Sequence, residues 1–167
     1  FVFQQAHLVS NLTLFENVAV PGYLKKARSV ADTRAIAQTL VERMGLGADA
    51  HHLPSQASGG QQQRCAVARS VVNDPDIVFA DEPTGALNRA NTLEGLSLLC
   101  ELNANGQSIC MVTHDVFCAL RANRVLYLED GSIKGELELP AFRADGDAAY
   151  LKARDTQVNA WLSSLAW

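Results

Sequence analysis

This chain has little positive charge in any one place and no long apolar run. Its 14 Lys and Arg residues are scattered among 18 Asp and Glu residues, and the formal net charge of −4 argues against a nucleic-acid-binding surface. No segment approaches the roughly 20 consecutive apolar residues that a membrane-spanning helix needs. The four cysteines form no Cys-x-x-Cys pair, which favours a reduced, cytosolic compartment over a disulfide-rich one.

The start of the chain also lacks familiar features. Phe1-Val2-Phe3-Gln4 has neither the basic region nor the apolar core of a signal peptide. It has no initiator methionine and resembles the inside of a strand, so we expect that Phe1 is not the natural N-terminus of a complete domain. The 167 residues, 48% hydrophobic and 19% charged, are still enough for one domain with a hydrophobic core.

A further absence concerns phosphate binding. The loop Gly-x-x-x-x-Gly-Lys-[Ser/Thr], whose backbone amides cradle the phosphates of a nucleotide, does not occur in the 167 residues, and none of the four lysines follows a glycine. The sequence therefore excludes this phosphate cradle from the given residues, although it contains other parts of a phosphate-cleaving site.

Alternating strand and helix patterns predict an α/β protein with a mostly parallel sheet and helices on both faces. We predict strands at 1–4, 76–81, 108–113, 125–128 and 133–137, and helices at 13–24, 29–44, 59–72, 92–103, 116–122 and from about 147 to the end. The strand at 76–81 is predicted to be buried because its apolar run is unbroken. Asp130-Gly131 predicts a hairpin turn between the last two strands.

Three helices carry further detail. Pro21 and Gly22 are expected to break the first helix near its end. The second is predicted to end at Gly45 and to turn one apolar stripe to the core, consisting of Ile36, Leu40, Met44 and, at its margin, Val41. Trp161 and Trp167 are expected to anchor the last helix to the core.

Two adjacent carboxylates, Asp81 and Glu82, end the strand at 76–81. Open α/β sheets bind ligands at the carboxyl ends of their strands. Asp81 suits a magnesium site because this ion prefers oxygen ligands, and Glu82 suits a general base that polarises an attacking water. Taken alone, the pair is also compatible with two solvated acids at a strand end.

The run Ser58-Gly59-Gly60-Gln61 predicts the start of a helix capped by Ser58. Exposed N–H groups and the positive end of the helix dipole favour an anion at such a start, and two glycines let a phosphate approach the backbone. An ordinary capped helix is the alternative interpretation. The ordinary cap explains the longer run SGGQQQR less well than an anion site does.

Two polar residues follow other predicted strands. His114 comes after the strand at 108–113 and is a candidate contact for a terminal phosphate, while a structural histidine is the alternative. Gln4 ends the first strand and is a candidate contact for both magnesium and the attacking water. By itself, a glutamine in this place has no functional meaning.

In combination and order, these motifs resemble the ATP-binding subunit of an ABC transporter. The resemblance covers nearly the whole chain. It implies a P-loop NTPase-type fold with an inserted helical subdomain, whose first part is missing. That part would carry the phosphate loop and the aromatic residue that stacks on adenine.

The resemblance also implies a role for each candidate residue, with ATP and Mg²⁺ as ligands. Gln4 would be the Q-loop glutamine, in contact with the metal and the water. Asp81 would be the Walker B aspartate at the metal, Glu82 the catalytic base and His114 the switch histidine. The ATP-binding signature motif would consist of Ser58, Gly59, Gly60 and Gln61.

The organisation of the domain is implied in the same way. Residues from about 8 to 56 would form the helical subdomain, residues 57–139 the catalytic core and residues 140–167 a helical tail. The implied partners are a second ATP-binding subunit, arranged head to tail, and an integral membrane permease, with no nucleic acid. The implied location is the cytoplasmic face of the cell membrane, reached through the permease.

A finer resemblance points to the bacterial branch that serves lipoprotein release, macrolide export and antimicrobial-peptide resistance. It is carried by the runs FVFQQ at 1–5, LFENV at 14–18 and FADEPTG at 79–85. The implied function is ATP hydrolysis that drives export or removal of a peptide or an amphipathic drug through a separate membrane subunit. Without a phosphate loop, the 167-residue chain alone is expected to be inactive.

Two residues inside these motifs depart from the family pattern. Ala57 replaces the usual leucine before the signature, and Asn88 stands where an aspartate of the D-loop is expected. The loss of that carboxylate would weaken communication between the two ATP sites of a dimer. A regulatory or scaffolding ABC-type subunit with little hydrolysis therefore stays open as an alternative, and so does a non-transport ABC ATPase.

Overall fold

Two separate sheets form in the computed structural model, which describes residues 1–165 of the chain. The chain divides into two units, the first covering Phe1–Val112 and the second beginning at Thr113. Parallel pairing occurs in the first unit and antiparallel pairing in the second. The predicted α/β class is confirmed. The further division into a helical subdomain, a core and a tail stays a prediction.

The parallel sheet of the first unit contains strands β1 (Ile77–Asp81) and β2 (Ser108–Val112). Val2 joins the other side of β1 through a parallel bridge to Ala80. Its N–H donates to Phe79 O at 2.8 Å, and its carbonyl accepts from Asp81 N–H at 2.8 Å. All three segments run in the same direction, so the residues that follow them emerge at one edge of the sheet.

The prediction that the strand at 76–81 is buried was wrong for one face. Val78 and Ala80 lie in the core, whereas Ile77 and Phe79 keep more than 40% of their surface exposed. Phe79 stacks on Phe1 with ring centroids 5.3 Å apart. Helices of the first unit cover only the face of Val78 and Ala80. An unbroken apolar run shows that a strand fits a buried position, but it does not show that both faces are covered.

Four helices of the first unit begin at a residue whose side chain caps the exposed backbone N–H groups. They are α1 (Leu14–Lys25), α2 (Val30–Arg43), α3 (Gly59–Val71) and α4 (Arg89–Ala104), capped by Thr13, Ser29, Ser58 and Asn88. Two short 3-10 helices, Gly47–Asp49 and Pro54–Gln56, lie between α2 and α3.

Helix α1 does not break at Pro21 and Gly22, contrary to prediction. It continues to Lys25, and the Pro21 carbonyl accepts a hydrogen bond from Asn73 Nδ2 at 3.0 Å. A Cβ atom built on Gly22 would lie 2.5 Å from Cγ2 of the buried Thr33 in α2. The glycine is therefore retained inside a helix because it lets α1 and α2 approach closely.

The face of α2 that packs on the core includes Val41 and Met44, as predicted, but its earlier part is displaced by one residue. Thr33, Ala37 and Val41 are buried along the helix, while Ile36 and Leu40 are only partly buried. The α1 contact at Gly22 sets this rotation, which residue spacing alone does not reveal. The end of the helix is as predicted, because Gly45 adopts the left-handed φ of +66° that favours glycine.

The core of the first unit joins α1, α2, α3 and the sheet. Leu14, Val18 and Leu46 are fully buried in it. Cys65 is fully buried as well, and its thiol donates to the Leu14 carbonyl at 3.3 Å. Burial raises the pKa of this thiol to about 12, against the weaker opposing effect of the nearby Arg69 charge. Cys65 is therefore a packing residue and not a reactive one.

The second unit contains α5 (Val116–Ala119), β3 (Arg124–Glu129), β4 (Ser132–Glu138) and α6 (Ala148–Ser164). The predicted hairpin turn is confirmed, with left-handed φ values of +47° at Asp130 and +71° at Gly131. Strand β3 pairs antiparallel with β4, as the predicted hairpin requires.

Helix α6 packs on the hairpin through a small core of its own. Val158 and Leu162 are buried there together with Leu139, and Trp161 packs against them as predicted. Trp167, the other predicted anchor, lies outside the described residues. Within residues 1–165, no helix combines the length and apolar character that crossing a membrane requires.

Candidate functional site

Gln4 and Glu82 emerge at the same edge of the parallel sheet. Val2 pairs with Ala80. Gln4 lies two residues after Val2, and Glu82 lies two residues after Ala80. A Cβ atom built on Gly85 would lie 2.9 Å from Gln4 Nε2, so the Gln4 side chain lies directly against the turn that Glu82 begins. The structure thus brings together two residues that lie 78 positions apart in the sequence.

Glu82 holds an unusual backbone conformation. Its φ is +45°, in the left-handed region that non-glycine residues seldom occupy, and its N–H donates to the Val112 carbonyl of β2 at 2.9 Å. Its own carbonyl accepts from Gly85 N–H at 3.0 Å, which closes the turn. Such a conformation costs about 1–3 kcal/mol and is retained where the surroundings fix it, commonly at functional sites.

Asp81 is the last residue of β1 and is exposed at this edge. Its carboxylate and the Gln4 amide oxygen are hard oxygen donors at the same edge. Among the described residues, no group of three or more His, Cys, Asp or Glu side chains forms a metal cage. This donor set fits Mg²⁺, which usually binds through one or two protein oxygens and takes its other ligands from water and phosphates.

The start of α3 is a capping box. Ser58 Oγ accepts from Gln61 N–H at 3.2 Å, and Gln61 Oε1 accepts from Ser58 N–H at 2.8 Å. Gly60 packs against Asn91 of α4 so closely that a Cβ atom would lie 2.7 Å from its side chain, whereas a Cβ atom on Gly59 would make only ordinary contact with Leu87. The predicted cap is confirmed, and Gly60 has a packing role that the sequence did not reveal.

Helix α3 also holds the segment that carries Gln4. The buried Gln63 donates through Nε2 to the Phe3 carbonyl at 2.9 Å. Arg69 donates to the carbonyls of Ala6 at 2.7 Å and His7 at 2.9 Å, and burial lowers the pKa of its guanidinium. Sequence reasoning missed both residues, because their partners lie about 60 positions away and carry no side-chain signal.

Asp49 is a second residue that sequence reasoning missed. Its Oδ2 accepts from Gln61 Nε2 at 2.6 Å, and its Oδ1 lies 3.2 Å from His52 Nδ1. An acid 12 positions before a glutamine, separated from it by a loop, gives no periodic pattern from which the contact is predictable.

His114 lies in the second unit, two residues after β2. Its neighbour Asp115 caps the short helix α5 by accepting from Phe117 N–H at 2.8 Å. His114 is exposed in a shallow cleft that it shares with Thr113, Tyr127 and Trp161. Its predicted role at the terminal phosphate stays a prediction.

Asn88, which departs from the family pattern, caps α4 by accepting from Asn91 N–H at 3.0 Å. Aspartate caps a helix equally well. Asn88 therefore caps α4 as an aspartate would, and it differs from an aspartate only in lacking the negative charge.

Comparison with known proteins gives consistent matches. The family model described as "ABC transporter" matches residues 1–85. The macrolide export ATP-binding/permease protein MacB of Hyphomonas neptunium is 44% identical over 133 residues, which cover 80% of this chain and 20% of that protein. MacB of Bradyrhizobium diazoefficiens is 40% identical over 168 residues, covering 100% of this chain and 25% of that protein.

Solved structures of ABC transporter cassettes also match this chain. A dimeric post-hydrolysis state of the ATP-binding cassette MJ0796, bound to ADP and Pi, superimposes with a TM-score of 0.72 at 40% identity, covering 85% of this chain and 63% of that one. A dimeric structure of MJ0796, described as a bacterial ABC transporter cassette, gives 0.73 at 41% identity. These matches confirm the predicted P-loop NTPase-type fold. The chain spans a fifth to a quarter of the length of the MacB proteins it matches.

Proposed function

Because the chain belongs to the ABC transporter family, we propose that it is part of an ATP-binding subunit whose ATP hydrolysis energises export through a membrane permease. One observation carries this proposal. Gln4, Asp81 and Glu82 lie at the same edge of the parallel sheet, and the same chain contains the capped, glycine-rich start of α3. The cargo is proposed to be a peptide or an amphipathic drug, in keeping with the macrolide export relatives.

Asp81 and Gln4 are the residues proposed to hold Mg²⁺. The bound ion would neutralise negative charge on the phosphates of ATP. Glu82 is the proposed general base, because a carboxylate at this edge can accept a proton from a water that attacks the terminal phosphate. The left-handed turn fixes the Glu82 backbone before ATP arrives, which reduces the reorganisation needed for reaction. Gln4, against the same turn, would orient that water.

The start of α3 is proposed to bind the terminal phosphate of an ATP molecule. Gly59 is exposed and places no side chain over the helix start, while Gly60 lets that start pack closely on Asn91. The positive end of the helix dipole favours the phosphate charge. Ser58 Oγ accepts one hydrogen bond within the cap and keeps its own hydrogen to donate. His114 is proposed to contact a terminal phosphate of ATP and to respond to its cleavage.

The 167 residues contain no phosphate loop, and the ATP molecule at the α3 start is proposed to be held by a second subunit. We propose a head-to-tail pair of ATP-binding subunits in which the α3 start of one faces the phosphate loop of the other. The dimeric state of the matching cassettes supports this arrangement. The pair would lie on the cytoplasmic side of the membrane, attached through the permease, as the fused ATP-binding/permease names of the relatives suggest.

The proposal predicts different activities for the 167-residue chain and for the full-length protein with its permease. The full-length protein is expected to release phosphate from ATP in the presence of Mg²⁺. The 167-residue chain is expected to show no turnover above a buffer control, since it presents an α3 start but no cradle for the phosphates. Malachite-green phosphate release, measured at equal protein concentrations, checks both.

Two results would contradict this expectation. One is the absence of ATP turnover in the full-length protein with its permease. The other is turnover by the 167-residue chain that the Glu82→Gln substitution abolishes, because that would show a complete active site without the loop.

A further inference from the structure

One side chain links the start of α3 to the loop before it. Gln61 accepts from Ser58 N–H through Oε1 at 2.8 Å and donates through Nε2 to Asp49 Oδ2 at 2.6 Å. A glutamine amide has one accepting end and one donating end. The carboxylate of Asp49 can only accept, so it fixes the donating end and turns the accepting end toward Ser58.

Asp49 is itself held in place. Its N–H donates to the carbonyl of the fully buried Leu46 at 3.0 Å, and its carbonyl accepts from His52 N–H at 2.9 Å. Its other carboxylate oxygen lies 3.2 Å from His52 Nδ1. The short 3-10 helix that ends at Asp49 is therefore anchored to the core, and it presents one carboxylate oxygen to Gln61.

The same pair explains why glutamine occupies the third position of α3. A glutamate there would keep the capping box, which commonly uses either residue. It would also place a second carboxylate at hydrogen-bond distance from Asp49, and two like charges so close oppose each other. Of these two residues, only glutamine can accept from Ser58 and donate to Asp49 at once.

We propose that Asp49 is a positioning residue for the phosphate-binding start of α3, acting through Gln61 on the backbone and hydroxyl of Ser58. This inference rests on the proposed function, in which that helix start binds the terminal phosphate of ATP. Asp49 does not touch ATP in this account. It keeps Gln61, and through it Ser58, in the arrangement that receives the phosphate, so less ordering is needed when ATP binds.

The test compares Asp49→Ala and Asp49→Asn in the full-length protein, with Asp145→Ala as the matched control at an exposed loop position. Asp49→Ala is expected to raise the KM for ATP about 3–10-fold, because it removes a charge-assisted hydrogen bond to Gln61. Asp49→Asn is expected to stay near the parent value, since its amide oxygen still accepts from Gln61. The Tm should be the same in all three variants within about 2 °C.

A double substitution tests whether Asp49 acts through Gln61. If it does, Asp49→Ala adds little to the KM increase of Gln61→Ala, because both remove the same contact. If the changes in ln KM caused by Asp49→Ala and Gln61→Ala add up in the double variant, the proposal is overturned. So would an Asp49→Ala protein with the KM of the Asp145→Ala control, or one whose activity falls only in proportion to a lower Tm.

Failure of the proposed function remains distinguishable from failure of this inference. If the parent protein has no ATP turnover, the proposed function fails, and hydrogen–deuterium exchange of residues 56–62 still tests Asp49. Faster exchange in Asp49→Ala than in Asp145→Ala supports the positioning role. Equal exchange overturns it.

Discussion

The Glu82→Gln substitution in the full-length protein is expected to lower the kcat for ATP hydrolysis by about 10²–10⁴-fold. A glutamine has nearly the same shape and can keep the backbone bonds to Val112 and Gly85, but its amide cannot take a proton from water. The KM for ATP should change little, because in this account Glu82 acts on the water and not on the bound nucleotide. Steady-state phosphate release over a range of ATP concentrations measures both constants.

Glu42→Gln is the matched control for this experiment. Glu42 lies on the exposed side of α2, where it accepts a hydrogen bond from Gln38, so the same chemical change there should leave kcat at the parent value. A Glu82→Gln protein that keeps more than about a tenth of the parent kcat would exclude Glu82 as the general base.

The second large effect is expected on stability, from Arg154→Met. Arg154 is 4% exposed in α6 and donates to the carbonyls of Leu120, Ala122 and Pro140, the last at 2.8 Å. Methionine fills much of the same space but offers no donor, so three carbonyls lose their partner. We expect the free energy of unfolding of the second unit to fall by about 3–5 kcal/mol, since each hydrogen bond from a charged donor contributes about 1.5–3 kcal/mol.

Lys152→Met provides the control for this substitution. Lys152 lies two residues earlier in α6 and is exposed, so its replacement should change the free energy of unfolding by no more than about 0.5 kcal/mol. Urea unfolding of the 167-residue chain can be followed by its tryptophan fluorescence, to which Trp161 in the core of the second unit contributes. Equal midpoints for the two variants would show that the three carbonyl contacts do not stabilise this unit.

Local signals predicted the elements of this fold well. Ser58 indicated the N-terminal cap of α3, Gly45 indicated the end of α2, and Asp130-Gly131 indicated the hairpin turn. Each of these features depends on the conformation of a few adjacent residues. The rotation of α2 was not predictable in this way. It is set by the close approach of Gly22 to Thr33, a contact between two helices that residue spacing does not describe.

In the candidate site, too, local motifs were predictable from the sequence and long-range contacts were not. Asp81, Glu82 and the glycines of α3 stand in runs whose residue types indicate phosphate chemistry. Asp49, which contacts Gln61 at the start of α3, and Gln63, which holds Phe3 beside Gln4, have partners 12 and 60 positions away. Pairing of distant segments decides such contacts, so a single sequence does not reveal them.

Retention of ATP by the full-length Glu82→Gln protein shows whether the α3 start binds the phosphate of an ATP molecule held by a second copy. A protein that binds ATP without cutting it should elute as a dimer with bound nucleotide in size-exclusion chromatography with ATP and Mg²⁺. Adding Ser58→Arg, which places a large side chain at the helix start, should abolish both the dimer and the retained ATP. Adding Ser55→Arg, at an exposed position three residues earlier, should leave them unchanged. An undiminished dimer with retained ATP in the Ser58→Arg protein would show that the α3 start does not bind that ATP molecule.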